Sequence, residues 1–172
     1  MPEVITLGAG CFWCLDAAAR RTTGILSSRV GYAGGTGRPP SYYELHDMRF
    51  ADSGWIEAVE IEFDRECITF EDVLDLFFAM HDPTTPNQDG ANFGPAYHST
   101  IFYRSEQQRE ASESVVRRLA ANLNTRVVTS IIPYSSFHEA EPEHQDYYAA
   151  NPRAGYCSMI IRPKLRKLGL DN

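Results

Sequence analysis

The stretch VITLGAGCFWCLDAAARRTT, residues 4–23, decides how this chain begins to fold and where it can react. An apolar run at 4–7 precedes Gly8-Ala9-Gly10, and residues 15–23 contain neither glycine nor proline. This order predicts a strand, a tight turn and a helix that begins at or next to Cys11. At a helix N-terminus, free backbone N–H groups and the helix dipole favour the thiolate, which is the nucleophilic form. We therefore expect a reactive Cys11, with a second thiol, Cys14, one helical turn away.

The composition is that of a globular protein with an acidic balance. Of 172 residues, 43% are hydrophobic and 23% are charged, which suits one core, so residues 1–172 are predicted to form a single domain. The 16 basic and 23 acidic residues give a net charge of −7 without a basic block, which argues against nucleic acid or an anionic membrane as partner. No apolar run approaches the ~20 residues that span a bilayer, and no leader is recognisable. We expect a soluble, cytoplasmic protein, and the acidic charge favours a monomer.

The four cysteines are too few and too unevenly spaced for a disulfide scaffold. In a reducing compartment, the Cys11-x-x-Cys14 pair indicates metal or redox chemistry. A structural zinc site would need a second such pair or a Cys/His set, and the sequence has neither near His138 and His144. Free cysteines are often simply buried, but two thiols at this spacing behind a glycine-rich turn favour redox function without a metal.

Periodicity and capping signals outline the remaining elements. Thr69 and Ser105 each begin a capping-box pattern before a helical stretch, and residues 55–63 alternate with a period of two. Strands are predicted at 4–7, 25–32, 55–63, 99–103, 127–132 and 156–162. Helices are predicted from Cys11 or the residue next to it, from 41, from 69, at 105–123 and at 139–150. Between them, 81–96 is a long loop rich in Pro, Gly and Asn, which is typical of functional loops. The order predicts an α+β, two-layer α/β sandwich with a ferredoxin-like βαββαβ core, additional helices and a C-terminal extension.

Several motifs, in one order along the chain, resemble the type A peptide methionine sulfoxide reductase family. They begin with Gly10-Cys11-Phe12-Trp13 and Val30-Gly31-Tyr32-Ala33-Gly34-Gly35. The later ones are Glu57-Ala58-Val59, His81-Asp82-Pro83-Thr84, Asn87-Gln88, Gly90, Gly94, Tyr97, Ser99, His144-Gln145-Asp146-Tyr147, Asn151-Pro152, Tyr156-Cys157 and Pro163-Lys164. The resemblance covers nearly the whole chain.

The resemblance implies reduction of the S epimer of methionine sulfoxide, free or in oxidised proteins. Cys11 would attack the sulfoxide sulfur, and Glu57 would protonate the sulfoxide oxygen, which is otherwise a poor leaving group. By pattern alone, Glu57 would be a solvated strand residue. Four aromatic residues match the family's substrate site: Phe12 and Trp13 as the cradle of the S-methyl group, and Tyr32 and Tyr97 as hydrogen-bonding partners of the oxygen. An aromatic wall beside a nucleophilic sulfur suits a methyl group on sulfur.

The resemblance further implies that Cys11 becomes a sulfenic acid, which a second thiol converts to a disulfide. An external dithiol such as thioredoxin, or dithiothreitol in vitro, would then reduce that disulfide, with no metal or organic cofactor. Many family members have glycine at the position of Cys14 and a resolving cysteine in a glycine-rich C-terminal tail, which this sequence lacks. Cys14 is therefore the first candidate for the resolving thiol, and Cys157 is the competitor.

Three departures from the family lie near the acid. Gly54-Trp55-Ile56 replaces the usual Gly-His-Ala, and residues 45–53, which include His46, form a longer segment than usual. Asn92 stands where aspartate is typical; it can hold a water or a hydroxyl in the substrate site, or occupy a turn, but it carries no charge. We expect a preserved fold with a retuned oxygen-binding network.

Two other functions fit the same residues. A general thiol-disulfide oxidoreductase would use the Cys11/Cys14 pair and would not need Glu57. A binding protein would hold methionine sulfoxide without turnover, a hypothesis motivated by Asn92 and by the altered residues before Glu57.

Overall fold

A six-stranded sheet forms the centre of the computed structural model, which describes residues 2–171. Its strands are β1 (Pro2–Gly8), β2 (Ile25–Ala33), β3 (Ile56–Asp64), β6 (Thr100–Tyr103), β7 (Ser130–Pro133) and β8 (Phe137–Glu139). The order across the sheet is β7-β6-β1-β3-β2-β8; all neighbours are antiparallel except β6 and β7. The central order β6-β1-β3-β2 and the chain path between these strands confirm the predicted ferredoxin-like core, with one extra strand at each edge.

Helices cover one face of this sheet. They are α1 (Phe12–Ala19), α2 (Tyr42–Leu45), α3 (Phe70–Ala79), α4 (Glu106–Leu123), α5 (Tyr147–Ala150) and α6 (Arg162–Lys167), with a π-helical turn at Cys157–Ile161. Short 3-10 turns lie at Met48–Phe50, Pro95–Tyr97 and Pro142–His144, and the predicted loop contains a small ladder, β4 (Gln88–Asp89) with β5 (Asn92–Phe93). None of the helices in 2–171 combines the length and the apolar character needed to traverse a bilayer.

Alternation along β3 determines which side chains reach the helices. Val59, Ile61 and Phe63 are fully buried in the cluster that includes α1 and α3, whereas Ala58 lies in a separate cluster on the opposite face. Because side chains alternate along a strand, Glu57 shares the face of Val59 and points towards the helix layer. The acid therefore lies in the core and is only 1% exposed.

The turn between β1 and α1 depends on glycine. Gly10 has φ +70°, and a Cβ at this position would collide with the Asp89 side chain. Cys11 is the N-cap of α1 with extended backbone angles, as the sequence predicts. The helix starts at Phe12, next to Cys11 as predicted, and ends at Ala19.

Two predicted elements are wrong, and a third is shifted. Residues 139–150 do not form one helix, because Pro142 cannot donate a backbone hydrogen bond and Asp146 has φ +50°. Residues 156–162 are helical instead of extended: Cys157, Ile161 and Leu165 recur every fourth residue, and all are fully buried. Strand 127–132 is found at Ser130–Pro133. The Thr69 capping box is present in full.

The Ser105 cap is only half a capping box. Its hydroxyl accepts a hydrogen bond from Gln108 N–H. The Gln108 side chain does not return to the Ser105 backbone; it donates to Glu3 and to Val4 O.

Candidate active site

Glu57 is anchored at the start of α1, next to Cys11. Phe12 N–H donates to Glu57 Oε1 over 3.1 Å. This N–H belongs to the first turn of the helix, where it has no helical partner, so a carboxylate is a natural acceptor. Cys11 is 5% exposed. The local motif around Cys11 and the distant strand residue Glu57 are thus brought together by the packing of α1 on β3.

His46, the residue after α2, lies against the same carboxylate. Its Nε2 is 2.9 Å from Glu57 Oε2, off the axis of a hydrogen bond, so Oε2 has no hydrogen-bond partner within 2–171. The imidazole stacks on Tyr97, with ring centroids 5.1 Å apart and an interplanar angle of 18°. The sequence reasoning did not assign His46 to the site, and its only signal was the unusual length of the 45–53 segment.

Aromatic rings form a wall beside Cys11 and Glu57. Trp13 stacks face to face on Tyr147, with ring centroids 3.8 Å apart, and Phe12 stacks on Tyr42 at 6.0 Å. Trp13 is half-buried, whereas Phe12 is fully buried and contacts Trp13, Tyr32, Tyr42 and His144. The wall therefore presents Trp13 to a ligand, and Phe12 supports it from behind.

The predicted tyrosines occupy different positions around Glu57. Tyr97 stacks on His46, and burial first and then the charge of Glu57 raise its pKa. Tyr32 is fully buried, and its hydroxyl donates to Glu141 Oε1 over 2.8 Å. Burial and that hydrogen bond raise the pKa of Tyr32 as well. Both phenols therefore keep their protons at neutral pH.

Asn92 lies on the Cys14 side of the site. Its Nδ2 donates to the Tyr156 hydroxyl over 3.1 Å, and that hydroxyl lies 3.7 Å from Cys14 Sγ. Asn92 therefore reaches the thiol pair through Tyr156.

The two thiols have opposite electrostatic surroundings. Cys14 is fully buried, and Lys164 Nζ lies 3.8 Å from its sulfur and 3.8 Å from Asp89 Oδ2. A hydrogen bond from Cys11 first, and then the Lys164 ammonium, lower the pKa of Cys14. Burial first, then the hydrogen bond and charge of Cys14, then the charge of Glu57, raise the pKa of Cys11. Burial therefore opposes the effect of the helix start on the Cys11 thiol, whereas the Lys164 ammonium favours the thiolate of Cys14.

The other two cysteines are Cys157 and Cys67. All four cysteines are free. Cys157 is buried on the π-helical turn, and within the described residues no hydrogen bond joins it to Cys11 or Cys14. Cys67 is exposed after β3, and its thiol donates to Asp64.

Glu141, Glu143 and His144 place ligand-type atoms within 4.8 Å of one another. Both Glu141 oxygens already accept hydrogen bonds, from the Tyr32 hydroxyl and from Tyr42 N–H. These contacts give Glu141 a structural role, tying α2 and β2 together.

Comparison with known proteins assigns the family. The sequence model described as "Peptide methionine sulfoxide reductase" matches residues 3–171. The peptide methionine sulfoxide reductase MsrA of Sulfolobus acidocaldarius is 41% identical over 96% of this chain and 92% of its own length. Reduced Mxr1 from Saccharomyces cerevisiae has a TM-score of 0.82 at 29% identity, covering 91% of this chain and 89% of Mxr1. Mxr1 in complex with Trx2 matches in fold, with a TM-score of 0.60 at 24% identity over 85% of this chain and 84% of that chain. The family model matches nearly the whole chain, and the Sulfolobus acidocaldarius relative is 41% identical. The chain therefore belongs to the peptide methionine sulfoxide reductase family.

Proposed function

We propose that this protein reduces the S epimer of methionine sulfoxide, free or in oxidised proteins, to methionine, with Cys11 as nucleophile and Glu57 as acid. The observation that carries the proposal is the buried Glu57 carboxylate, held by Phe12 N–H at the helix start where Cys11 is the N-cap. A sulfoxide whose methyl group lies against Trp13 would have its sulfur near Cys11 and its oxygen near Glu57 Oε2. Tyr97, whose ring stacks on His46, would hydrogen-bond the same oxygen, and Tyr32 would support this arrangement from β2.

The first step uses the proton that Glu57 carries as the acid. Cys11 attacks as its thiolate, the nucleophilic form of the side chain. The Cys11 thiolate, the sulfoxide and protonated Glu57 give the Cys11 sulfenic acid, the sulfide of methionine and the Glu57 carboxylate. The Cys11 sulfur is oxidised and the substrate sulfur is reduced, so the electrons balance.

In the second step, Cys14 resolves the sulfenic acid. Its sulfur attacks the Cys11 sulfur, the Cys14 thiol loses its proton, and the hydroxyl leaves as water. Cys14 N–H donates to Cys11 O over 3.2 Å in the first turn of α1, which keeps the two residues adjacent. This adjacency and the Lys164 ammonium beside Cys14 favour Cys14 over Cys157.

We propose that a thioredoxin-type dithiol reduces the disulfide and that no metal or organic cofactor takes part. The complex of Mxr1 with Trx2 described above supports this choice of reductant. The match of the family model to residues 3–171 supports residues 1–172 as one catalytic domain. We further propose a cytoplasmic monomer that binds neither nucleic acid nor membranes. The net charge of −7 supports the monomer and argues against those two partners.

Methionine formation from each epimer of a sulfoxide peptide, without reductant, tests the nucleophile. The S epimer should yield methionine and the R epimer none, and Cys11→Ser should abolish the product. Cys67→Ser removes an exposed thiol outside the site and is the matched control. If the wild type forms no methionine although Cys11 is alkylated by a thiol reagent, the proposal is wrong.

Recycling tests the resolving thiol and the alternatives. Cys14→Ser should keep a first turnover and lose recycling by thioredoxin; normal recycling would assign the role to Cys157 or to an external thiol. A general thiol-disulfide oxidoreductase would instead exchange disulfides at an undiminished rate in Glu57→Gln. A binding protein would retain sulfoxide without releasing methionine.

A further inference from the structure

His46 lies between the buried acid and solvent. Its Nε2 is 2.9 Å from Glu57 Oε2, and its side chain is 27% exposed, against 1% for Glu57. On its other side, His46 lines a surface pocket of about 200 Å³, together with side chains of the 45–51 segment, Trp55 and residues 93–96. One imidazole therefore contacts both a buried proton donor and an opening to water.

The other groups around Glu57 are poorer proton carriers. Tyr42 and Tyr97 flank the imidazole, with ring centroids 5.1 Å from it, and burial raises the pKa of both phenols. Asp47 also lines the pocket, but its carboxylate is paired with Arg49. Asn92, which has no acidic proton, faces Tyr156. Imidazole is the side chain that exchanges protons most readily near neutral pH.

The proposed reaction requires Glu57 to be refilled. Over a full turnover, two thiols and one sulfoxide become one disulfide, one sulfide and one water, so the sulfoxide oxygen takes up two protons. Glu57 supplies the first and is left as a carboxylate at a buried position. It must regain a proton before the next sulfoxide can be protonated.

We propose that His46 is a positioning residue for Glu57, which orients the carboxylate and returns a proton to it from solvent. The proposal rests on the proposed function. The imidazolium gives its Nε2 proton to Glu57 Oε2, becomes neutral imidazole, and takes a new proton from water or buffer through the pocket. No oxidant or reductant is involved, and the ring needs only to reorient at the observed distance.

Multiple-turnover methionine formation from the S-epimer peptide, with dithiothreitol as reductant, tests this role. His46→Ala should lower kcat by about tenfold or more, with KM little changed, since proton-transfer groups contribute on the order of 10²–10⁴-fold to rates. Added imidazole should restore the rate in proportion to its protonated fraction. His46→Gln should stay slow, because its amide can hold the carboxylate but cannot carry a proton.

His138→Gln, at an exposed histidine on β8, is the control and should match the wild type. Wild-type rates in His46→Gln, or no response of His46→Ala to imidazole, would overturn the inference. If His46→Ala does not fold, His46→Gln and its pH profile decide.

If the wild type forms no methionine, the proposed function itself is wrong, and this outcome is distinct from a failure of the His46 proposal. The pair is then tested by NMR, because Glu57→Gln must shift the His46 ring-nitrogen resonances, and unchanged resonances refute the contact.

Discussion

Replacing Lys164 with methionine removes a positive charge 3.8 Å from Cys14 Sγ while keeping a side chain of similar length. At this distance, an effective dielectric constant of about 20 gives an attraction of about 4 kcal/mol between ammonium and thiolate. Two features reduce it: Asp89 Oδ2 is equally close to the ammonium, and the Lys164 side chain is 27% exposed. We expect about 1–2 kcal/mol to remain, which lowers the thiolate-to-thiol ratio of Cys14 about tenfold at a given pH.

The ultraviolet absorbance of the thiolate, followed against pH in the reduced protein, measures this change. Comparing the wild type with Cys14→Ser isolates the contribution of Cys14 to the absorbance, because these two proteins share the other thiols. Lys167→Met removes the same charge at an exposed position and is the matched control. The thiolate transition should move to higher pH in Lys164→Met alone, and disulfide formation after the first turnover should slow. Superimposable titrations of Lys164→Met and wild type would refute the electrostatic account.

Three further perturbations test separate parts of the structure. Glu57→Gln should slow methionine formation by about 10²–10³-fold in single-turnover assays, because the amide cannot protonate the oxygen; a smaller loss would assign the acid elsewhere. Asn92→Asp should draw the Tyr156 hydroxyl proton away from Cys14 and shift the thiolate transition to higher pH, with the first turnover retained. His81 is buried between Phe77 O and Ser99 Oγ, and burial lowers its pKa to about 4, below the unfolded value. The unfolded chain therefore binds a proton on His81 at a higher pH than the folded protein does. The free energy of unfolding should fall by roughly 3 kcal/mol as pH drops from about 6.5 to about 4. Urea titrations should show this fall in the wild type but not in His81→Gln.

Local signals in the sequence were sufficient for the core of the fold. The period-two pattern of β3 and the Thr69 capping box depend on neighbouring residues, and both are found as predicted. The 156–162 segment was misassigned because its apolar residues suit either a strand or a buried helix. Only the packing of Cys157 and Ile161 in the core selects the helix.

The part of the site that lies within one short stretch of sequence could be predicted from the residues themselves. Cys11 and Cys14 share one helical turn, whereas Glu57 entered the predicted site only through resemblance to a family. The contacts of His46 with Glu57 and of Lys164 with Cys14 join different elements, and Lys164 is 150 residues from Cys14. No periodicity or spacing rule encodes such contacts, so their effect on the charge of each thiol required the folded structure.

The helical segment that follows Tyr156 covers Cys14, and this position affects the rate at which the disulfide is recycled. The Cys14 sulfur is fully buried beneath Tyr156 and Lys164, and Cys11 is only 5% exposed. A reductant cannot reach a disulfide between them in this conformation, so recycling proceeds through local opening of the segment. The recycling rate is then the fraction of open molecules multiplied by the exchange rate in the open form. Substitutions that stabilise Arg162–Lys167 against the core should therefore make the protein both harder to unfold and slower to recycle.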